Sequence, residues 1–249
     1  MTTSDAGRSF DAAADSYERA RPGYPSAAVR WMLSTRPGRV LDLAAGTGKL
    51  TRQLVDAGYE TVAVEPLPGM REKLASALPG VEALEGTAER IPLDAGAVDA
   101  VVVGQAWHWF DQLAAAREIA RVLRPGGVLG IAWNFADERP DWVSQLWAMI
   151  HAAGRPARVE GRRGETEPPE LGDYFVSAER ADFGFEQDVD LDTVLALVQS
   201  RSYIIQLPVG RREALLAEVR QLFATHPDLA GGTTYSLPYR TICWRATVA

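Results

Sequence analysis

Through the first half of the chain, short apolar runs alternate with amphipathic stretches. The runs at 39–43, 61–65, 81–84, 98–103 and 127–133 have strand length and are rich in Val, Leu and Ala, as expected of parallel strands covered on both faces. Between them, apolar positions at helical spacing predict helices at 48–57, 67–77 and 111–123, the first closed by Gly58 at C′. Strand alternating with helix predicts a doubly wound α/β layer fold, with ligands at the C-terminal ends of the strands. After Asn134 the pattern changes. Trp142, Val143, Leu146, Trp147 and Ile150 form a helical stripe, and 154–172 is charged and rich in Gly and Pro, a loop or lid candidate. Residues 178–190 alternate as a strand. Helices are expected at 191–200 and 209–225, the latter turning Leu215, Leu216, Val219, Leu222 and Phe223 inward, and 233–248 reads as a last strand pairing with 178–190.

Residues 1–37 form a leader before the first core strand. Phe10 to Arg19 reads as a short helix, Arg21-Pro22-Gly23-Tyr24-Pro25 as extended or turned chain, and Ser26 to Ser34 as a second helix with Ser26 in an N-cap role. Tyr17, Arg19, Arg21 and Tyr24 give this leader more polar aromatic and cationic groups than a tail requires. The remainder, 38–249, reads as one large domain in which 136–225 covers the substrate.

Composition narrows the function classes. A chain of 249 residues, 47% apolar, buries a sizeable core. Its 26 basic and 33 acidic residues leave a net charge of −7, which disfavours nucleic acid as a partner; the Arg162-Arg163 pair is flanked by Glu160, Glu165 and Glu167. The single Cys243 excludes an internal disulfide framework and a cysteine zinc site, and no metal is expected. The polar N-terminus and the lack of a long apolar run give no membrane association, so a cytoplasmic protein is expected.

The segment Val40-Leu41-Asp42-Leu43-Ala44-Ala45-Gly46-Thr47-Gly48-Lys49-Leu50 carries the chemistry. An apolar strand enters a glycine turn that opens a helix, an arrangement suited to nucleotide-type ligands. A dinucleotide fingerprint would place a third glycine where Thr51 stands, and a P-loop would need glycine at Leu43 and Ser or Thr at Leu50. Neither phosphate reading fits. Glu65, at the end of the next strand and 19 residues after Gly46, suits the two hydroxyls of a ribose. An adenosyl ligand with a free ribose diol and no phosphate meets both conditions, and S-adenosylmethionine is such a ligand.

Taken together, the leader Phe10 to Tyr17 with Arg21 to Pro25, Val40 to Gly48, Glu65-Pro66 with Met70, Gly86 to Leu93, Gln105-Ala106-Trp107-His108-Trp109-Phe110 and Arg121 to Gly127 resemble the class I S-adenosylmethionine-dependent methyltransferases of the type 11, small-molecule subgroup. The resemblance covers most of the chain. It implies a Rossmann-like, seven-stranded, mostly parallel sheet with an antiparallel C-terminal hairpin and helical cap elements. It implies the methionine end of the cofactor near Asp42, Ala44, Gly46 and Gly48, the ribose on Glu65, and the adenine between Pro66, Met70 and the Thr87-Ala88-Glu89 turn. Many relatives have an aspartate where Thr87 stands, and its hydroxyl would have to take over that contact. Gln105 would line the sulfonium region, and the leader, through Tyr17 and Arg21, would cover the cofactor. S-adenosylhomocysteine would be the product.

Such transfer is an in-line displacement that depends on positioning, with a general base needed only for acceptors such as a hydroxyl or an acidic carbon. His108, just past the fourth strand between Trp107 and Trp109, is either that base or an ordering element of the loop. Tyr24, Trp107, Trp133, His151, Arg201 and Tyr203 are candidate substrate contacts, an arginine being the natural partner for a carboxylate. His226 reads as a helix C-terminal cap. The acceptor is expected to be a small organic molecule. A cofactor-binding protein without transferase activity and a protein methyltransferase remain alternatives.

Overall fold

The structure is a computed structural model and describes residues 21–34, 37–154 and 167–249. The expected helix from Phe10 to Arg19, with Tyr17, lies outside the described residues, as does most of the lid candidate. In chain order the elements are α1 (Ser26–Leu33), β1 (Arg39–Leu43), α2 (Lys49–Asp56), β2 (Glu60–Val64), α3 (Pro68–Ala77), β3 (Glu82–Leu84), β4 (Val98–Gly104), a 3₁₀ turn (Trp107–Trp109), α4 (Gln112–Val122) and β5 (Leu123–Ala136). They continue with α5 (Asp141–Ala152), a 3₁₀ turn (Gly172–Tyr174), β6 (Phe175–Val189), α6 (Leu191–Gln199), α7 (Ser202–Ile205), α8 (Val209–Thr225) and β7 (Tyr235–Val248).

The strands form one seven-stranded sheet in the order β3-β2-β1-β4-β5-β7-β6. The ladders from β3 to β5 are parallel, and antiparallel strands complete the sheet. Parallel pairing demands cover on both faces, and the sequence supplies it: Val40, Leu41 and Leu43 of β1 and Val101, Val102 and Val103 of β4 are all buried.

The described chain divides into two compact units. The first comprises 23–134, 167–183 and 241–249; the second comprises 21–22, 135–154 and 184–240. In the first, Tyr24, Val29, Met32 and Leu33 of the α1 region pack with Leu50, Leu54, Val102 and Ala132. In the second, Trp142, Val143, Leu146 and Ile150 of α5 pack with Val194 and Val198 of α6, Val219 and Phe223 of α8, and Leu237 and Tyr239 of β7.

Three expectations are corrected. Pro25, not Ser26, caps α1, and no side chain caps that end; the fixed proline φ replaces a side-chain cap. The fifth strand begins at Leu123, not 127. Leu123 pairs with Val98, Val128 pairs with Ala100, and Arg124 to Gly127 bulge between, held by Arg124 Nη1 on Asp99 Oδ1 at 2.7 Å. His226 does stand at the C-cap of α8, but its ring does not serve the helix. Nδ1 accepts the Asp228 N–H at 3.1 Å, which leaves Nε2 to donate to Asp141 Oδ2 at 3.1 Å, so the imidazole ties α8 to the start of α5.

Backbone contact between α1 and β5 is close enough to test. A Cβ on Gly130 would lie 2.6 Å from Met32 Cβ. Gly130→Ala is expected to destabilise the protein by about 1–3 kcal/mol in denaturant unfolding, because the strand has no room to retreat from the helix.

Candidate functional site

β1 and β4 are neighbours at the centre of the sheet, and from them the chain winds outward in opposite directions, so their C-terminal ends form the switch point of the fold. Both ends are conformationally costly. Ala44 follows β1 with φ of 57° and Gln105 follows β4 with φ of 59°, a left-handed backbone that side-chain-bearing residues seldom adopt. The turn continues through Gly46 (φ 59°) and Gly48 (φ 90°), and it is pinned by Ala45 N–H on the Val64 carbonyl at 3.1 Å. The two glycines have different reasons. A Cβ on Gly48 would sit 2.9 Å from Leu74 Cγ of α3, whereas a Cβ on Gly46 would meet nothing within 4 Å among the described residues.

Glu65 joins the turn to β2. Its side chain is only 5% exposed; Oε2 accepts the Gly46 N–H at 2.8 Å and Oε1 accepts the Leu67 N–H at 2.9 Å. Its own N–H donates to the Leu84 carbonyl at 3.0 Å, and its carbonyl accepts Arg71 Nη1 at 2.8 Å. That arginine also reaches the Pro66 carbonyl and pairs with Glu85 at 2.9 Å. Asp42 lies beneath the turn, 1% exposed, with Oδ2 accepting from Thr51 Oγ1 at 2.6 Å. Burial, reinforced by the nearby Glu65 charge, raises its carboxyl to about 7 against the pull of the Thr51 hydrogen bonds.

Along the neighbouring strand ends, Met70 and Ala88 are buried, and Thr87 exchanges two backbone hydrogen bonds with Arg90, both 3.2 Å, in a tight turn after Gly86. Glu89 accepts the Asp111 N–H at 3.0 Å, so its carboxylate steadies the start of α4. Gln105 donates its N–H to the Ala132 carbonyl at 2.8 Å and Nε2 to the Asn134 carbonyl at 3.1 Å. Asn134 in turn donates to the Gly23 carbonyl at 2.9 Å and accepts from Thr241 Oγ1 at 2.6 Å. This asparagine, which sequence reasoning passed over, joins the leader to the end of β5; its position as the first polar residue after the apolar strand was the available signal.

The aromatic candidates separate. Trp107 is 1% exposed and packs edge-on against Phe110 at 5.7 Å, while His108 is exposed and touches Trp109 at 4.8 Å. The expected sandwich of His108 between two tryptophans is therefore corrected: the 3₁₀ turn sends Trp107 inward and leaves His108 and Trp109 outside. Tyr24 is a core residue instead of an open wall, its ring lying on Gly104, where a Cβ would meet Tyr24 Oη at 2.5 Å; Gln53 grips its backbone N–H at 2.8 Å. Trp133 is also buried. The buried Thr47 hydroxyl and Trp107 indole N–H have no hydrogen-bond partner among the described residues.

Four other candidates belong to the second unit: Arg21, His151, Arg201 and Tyr203. Arg21 donates from Nε to Ser200 Oγ at 3.2 Å, and Arg201 places Cζ 5.2 Å from the centre of the Trp147 ring. Tyr203 packs on the apolar core and His151 stands in the last turn of α5. A cleft of about 790 Å³ between α1 and the end of α2, lined by Ser26, Arg30, Gln53, Asp56 and Tyr59, opens beside the start of β2, away from the strand C-termini. Among the described residues there is no cluster of His, Cys, Asp or Glu able to hold a metal, and no helix long and apolar enough to cross a membrane.

A strained, glycine-cleared turn facing a buried strand-end glutamate at the switch point is the arrangement in which α/β proteins bind nucleoside-type ligands. Comparison with known proteins makes this specific. Residues 41–131 match the "Methyltransferase domain" family. The chain is 47% identical over 245 residues to an uncharacterized methyltransferase of Mycobacterium tuberculosis, covering 98% of each. It is 31% identical over 235 residues to a methyltransferase-like protein of Schizosaccharomyces pombe, covering 92% of this chain and 91% of that one. The fold is shared with a candidate type II methyltransferase from Anaeromyxobacter dehalogenans (TM-score 0.66, 24% identity, 92% and 97% of the two chains). It is also shared with phosphoethanolamine N-methyltransferase 2 of Haemonchus contortus, solved with S-adenosyl-L-methionine (TM-score 0.52, 14% identity, 96% and 57%). The chain belongs to the type 11 class I S-adenosylmethionine-dependent methyltransferases.

The buried carboxyl gives a pH prediction. Folded Asp42 holds its proton up to about 7, while the unfolded group releases it near 3.8. Unfolding therefore becomes easier as pH rises between those values and changes no further above them. Asp42→Asn removes this dependence. In melts from pH 5 to 8, the wild-type Tm should fall relative to that of the variant between pH 5 and 7 and run parallel above; parallel curves throughout would place a charged Asp42 in the folded protein.

Proposed function

We propose that the protein binds S-adenosylmethionine over the Ala44–Gly48 turn and transfers its methyl group to a small organic acceptor by direct in-line displacement. The observation that carries this reading is the pairing of Glu65 with the space above Gly46. The carboxylate is held by two backbone N–H groups at the end of β2, beside the glycine turn, the place from which an acidic side chain accepts ribose hydroxyls in this kind of fold. The residues present also fit the rest of the group. Thr47 Oγ1 and Trp107 Nε1 are buried donors still to be satisfied, and Met70 and Ala88 supply apolar surface for an adenine.

When bound, the cofactor supplies an electrophilic methyl on a sulfonium, and everything else is positioning by the chain. Gly46 clears the approach and Glu65 orients the ribose. Gln105, locked by Asn134 in a left-handed backbone, lines the sulfonium side, and Pro66, Thr87 and Glu89 frame the adenine. A carboxylate acceptor needs no base. For an acceptor hydroxyl, His108 on the exposed turn past β4 takes the proton. The net charge of −7 favours a small molecule over RNA.

Gly46→Ala tests the placement. The added methyl meets no atom of the described residues and keeps the fold, at the cost of a strained φ worth about 1 kcal/mol, but it occupies the ligand's space. Calorimetric titration is expected to give S-adenosylhomocysteine affinity at least ~10-fold weaker than wild type, equivalent to about 1.4 kcal/mol. Unchanged affinity would move the ligand elsewhere.

A further inference from the structure

In the second unit, Gln187 Oε1, Arg201 Nε and Tyr239 Oη are buried without a hydrogen-bond partner among the described residues. Native proteins satisfy the large majority of such groups, and each exception needs a reason. Tyr239 is only 5% exposed, and its ring lies flat against Phe185 of β6, with centroids 5.2 Å apart and planes at 16°. Its hydroxyl is therefore held in one place. Burial pushes the phenol up to about 12, so it remains an O–H donor at every physiological pH. The charges acting on that hydroxyl are Arg201 first and Arg21 second.

Arg201 is as constrained as the tyrosine. Its guanidinium lies over Trp147, with Cζ 5.2 Å from the ring centre, and it follows Ser200, whose hydroxyl donates to the Leu197 carbonyl at 2.8 Å and accepts from Arg21 Nε at 3.2 Å. Trp147, Phe185 and Tyr203 belong to the same apolar cluster as Tyr239. The result is a fixed cation and a fixed neutral donor among flat aromatic surfaces.

We propose that Arg201 and Tyr239 form a binding site for the carboxylate of a small, flat organic acid. A guanidinium and a phenol hydroxyl together present donors to the two oxygens of one carboxylate, and the charge of Arg201 attracts the anion. Trp147, Phe185 and Tyr203 provide apolar surface for the body of the acid, as ligand sites with few polar anchors do. The site requires no methyl donor, so its failure would leave the proposed transfer untouched.

The test titrates benzoate, and separately inorganic phosphate, into the full chain and into Tyr239→Phe and Arg201→Gln, followed by calorimetry and thermal melts. Tyr239→Phe keeps the ring and its stacking and deletes only the unpartnered hydroxyl. Benzoate is expected to bind the wild type and to bind each variant ~10-fold or more weakly, as for loss of a charge-assisted hydrogen bond, while Tyr239→Phe melts no lower than wild type. Equal benzoate affinity in wild type and variants, or no benzoate binding by the wild type, would overturn the site. Phosphate binding with the same loss in both variants would overturn the carboxylate assignment. A lower melting point for Tyr239→Phe would show that the hydroxyl is satisfied within the protein, and would overturn the proposal too.

Discussion

The structure at the sheet's switch point depends on one buried carboxylate shared between two backbone segments. Glu65 accepts the N–H of Gly46 from the turn after β1 and the N–H of Leu67 from the loop after its own strand. Both bonds are charge-assisted, the class worth more than neutral pairs, and losing the acceptor would leave two buried donors to be satisfied elsewhere. Because the turn is also pinned by Ala45 on Val64, the two strand ends are held at a fixed separation before any ligand arrives. Preorganisation of this kind lets binding energy serve orientation instead of ordering loops.

Backbone strain accompanies that fixed geometry. Ala44 and Gln105, at the ends of adjacent central strands, both take left-handed φ values that cost them energy, and both are kept there by surrounding bonds. Gln105 is held through its backbone on Ala132 and its side chain on Asn134. Gly46 and Gly48 look alike in the sequence but meet different surroundings, one with nothing within 4 Å among the described residues and the other with the close approach of Leu74. The second unit shows the same economy in another form, with Tyr239 and Arg201 rigidly placed and unsatisfied among the described residues.

How much of this was legible in the sequence depended on the range of the interaction. The helix at 209–225 was read to the residue because its apolar positions recur over seventeen residues, and the strand at 39–43 likewise. The placement of Glu65 beside the glycine turn was legible because its distance along the chain from the turn is fixed by one strand–helix–strand unit. The early start of β5 was not, since Arg124-Pro125-Gly126-Gly127 has turn composition and only its pairing with β4 draws it into the strand. Tyr24 reads as a polar aromatic in a proline-rich leader; its burial follows from Gly104, far along the chain. Asn134 escaped for the same reason, because its significance lies in partners that no local pattern records.

The claim at the centre is that the Glu65 carboxylate, besides holding the turn, receives the ribose of an adenosyl ligand. It is tested most directly by comparing calorimetric affinities of S-adenosylhomocysteine and its 2′-deoxy analogue for the wild type and for Glu65→Ala. The account expects the wild type to bind the deoxy analogue at least ~10-fold more weakly and the variant to lose most of that discrimination. Equal binding of the two ligands by the wild type, or the same discrimination in the variant, would contradict it.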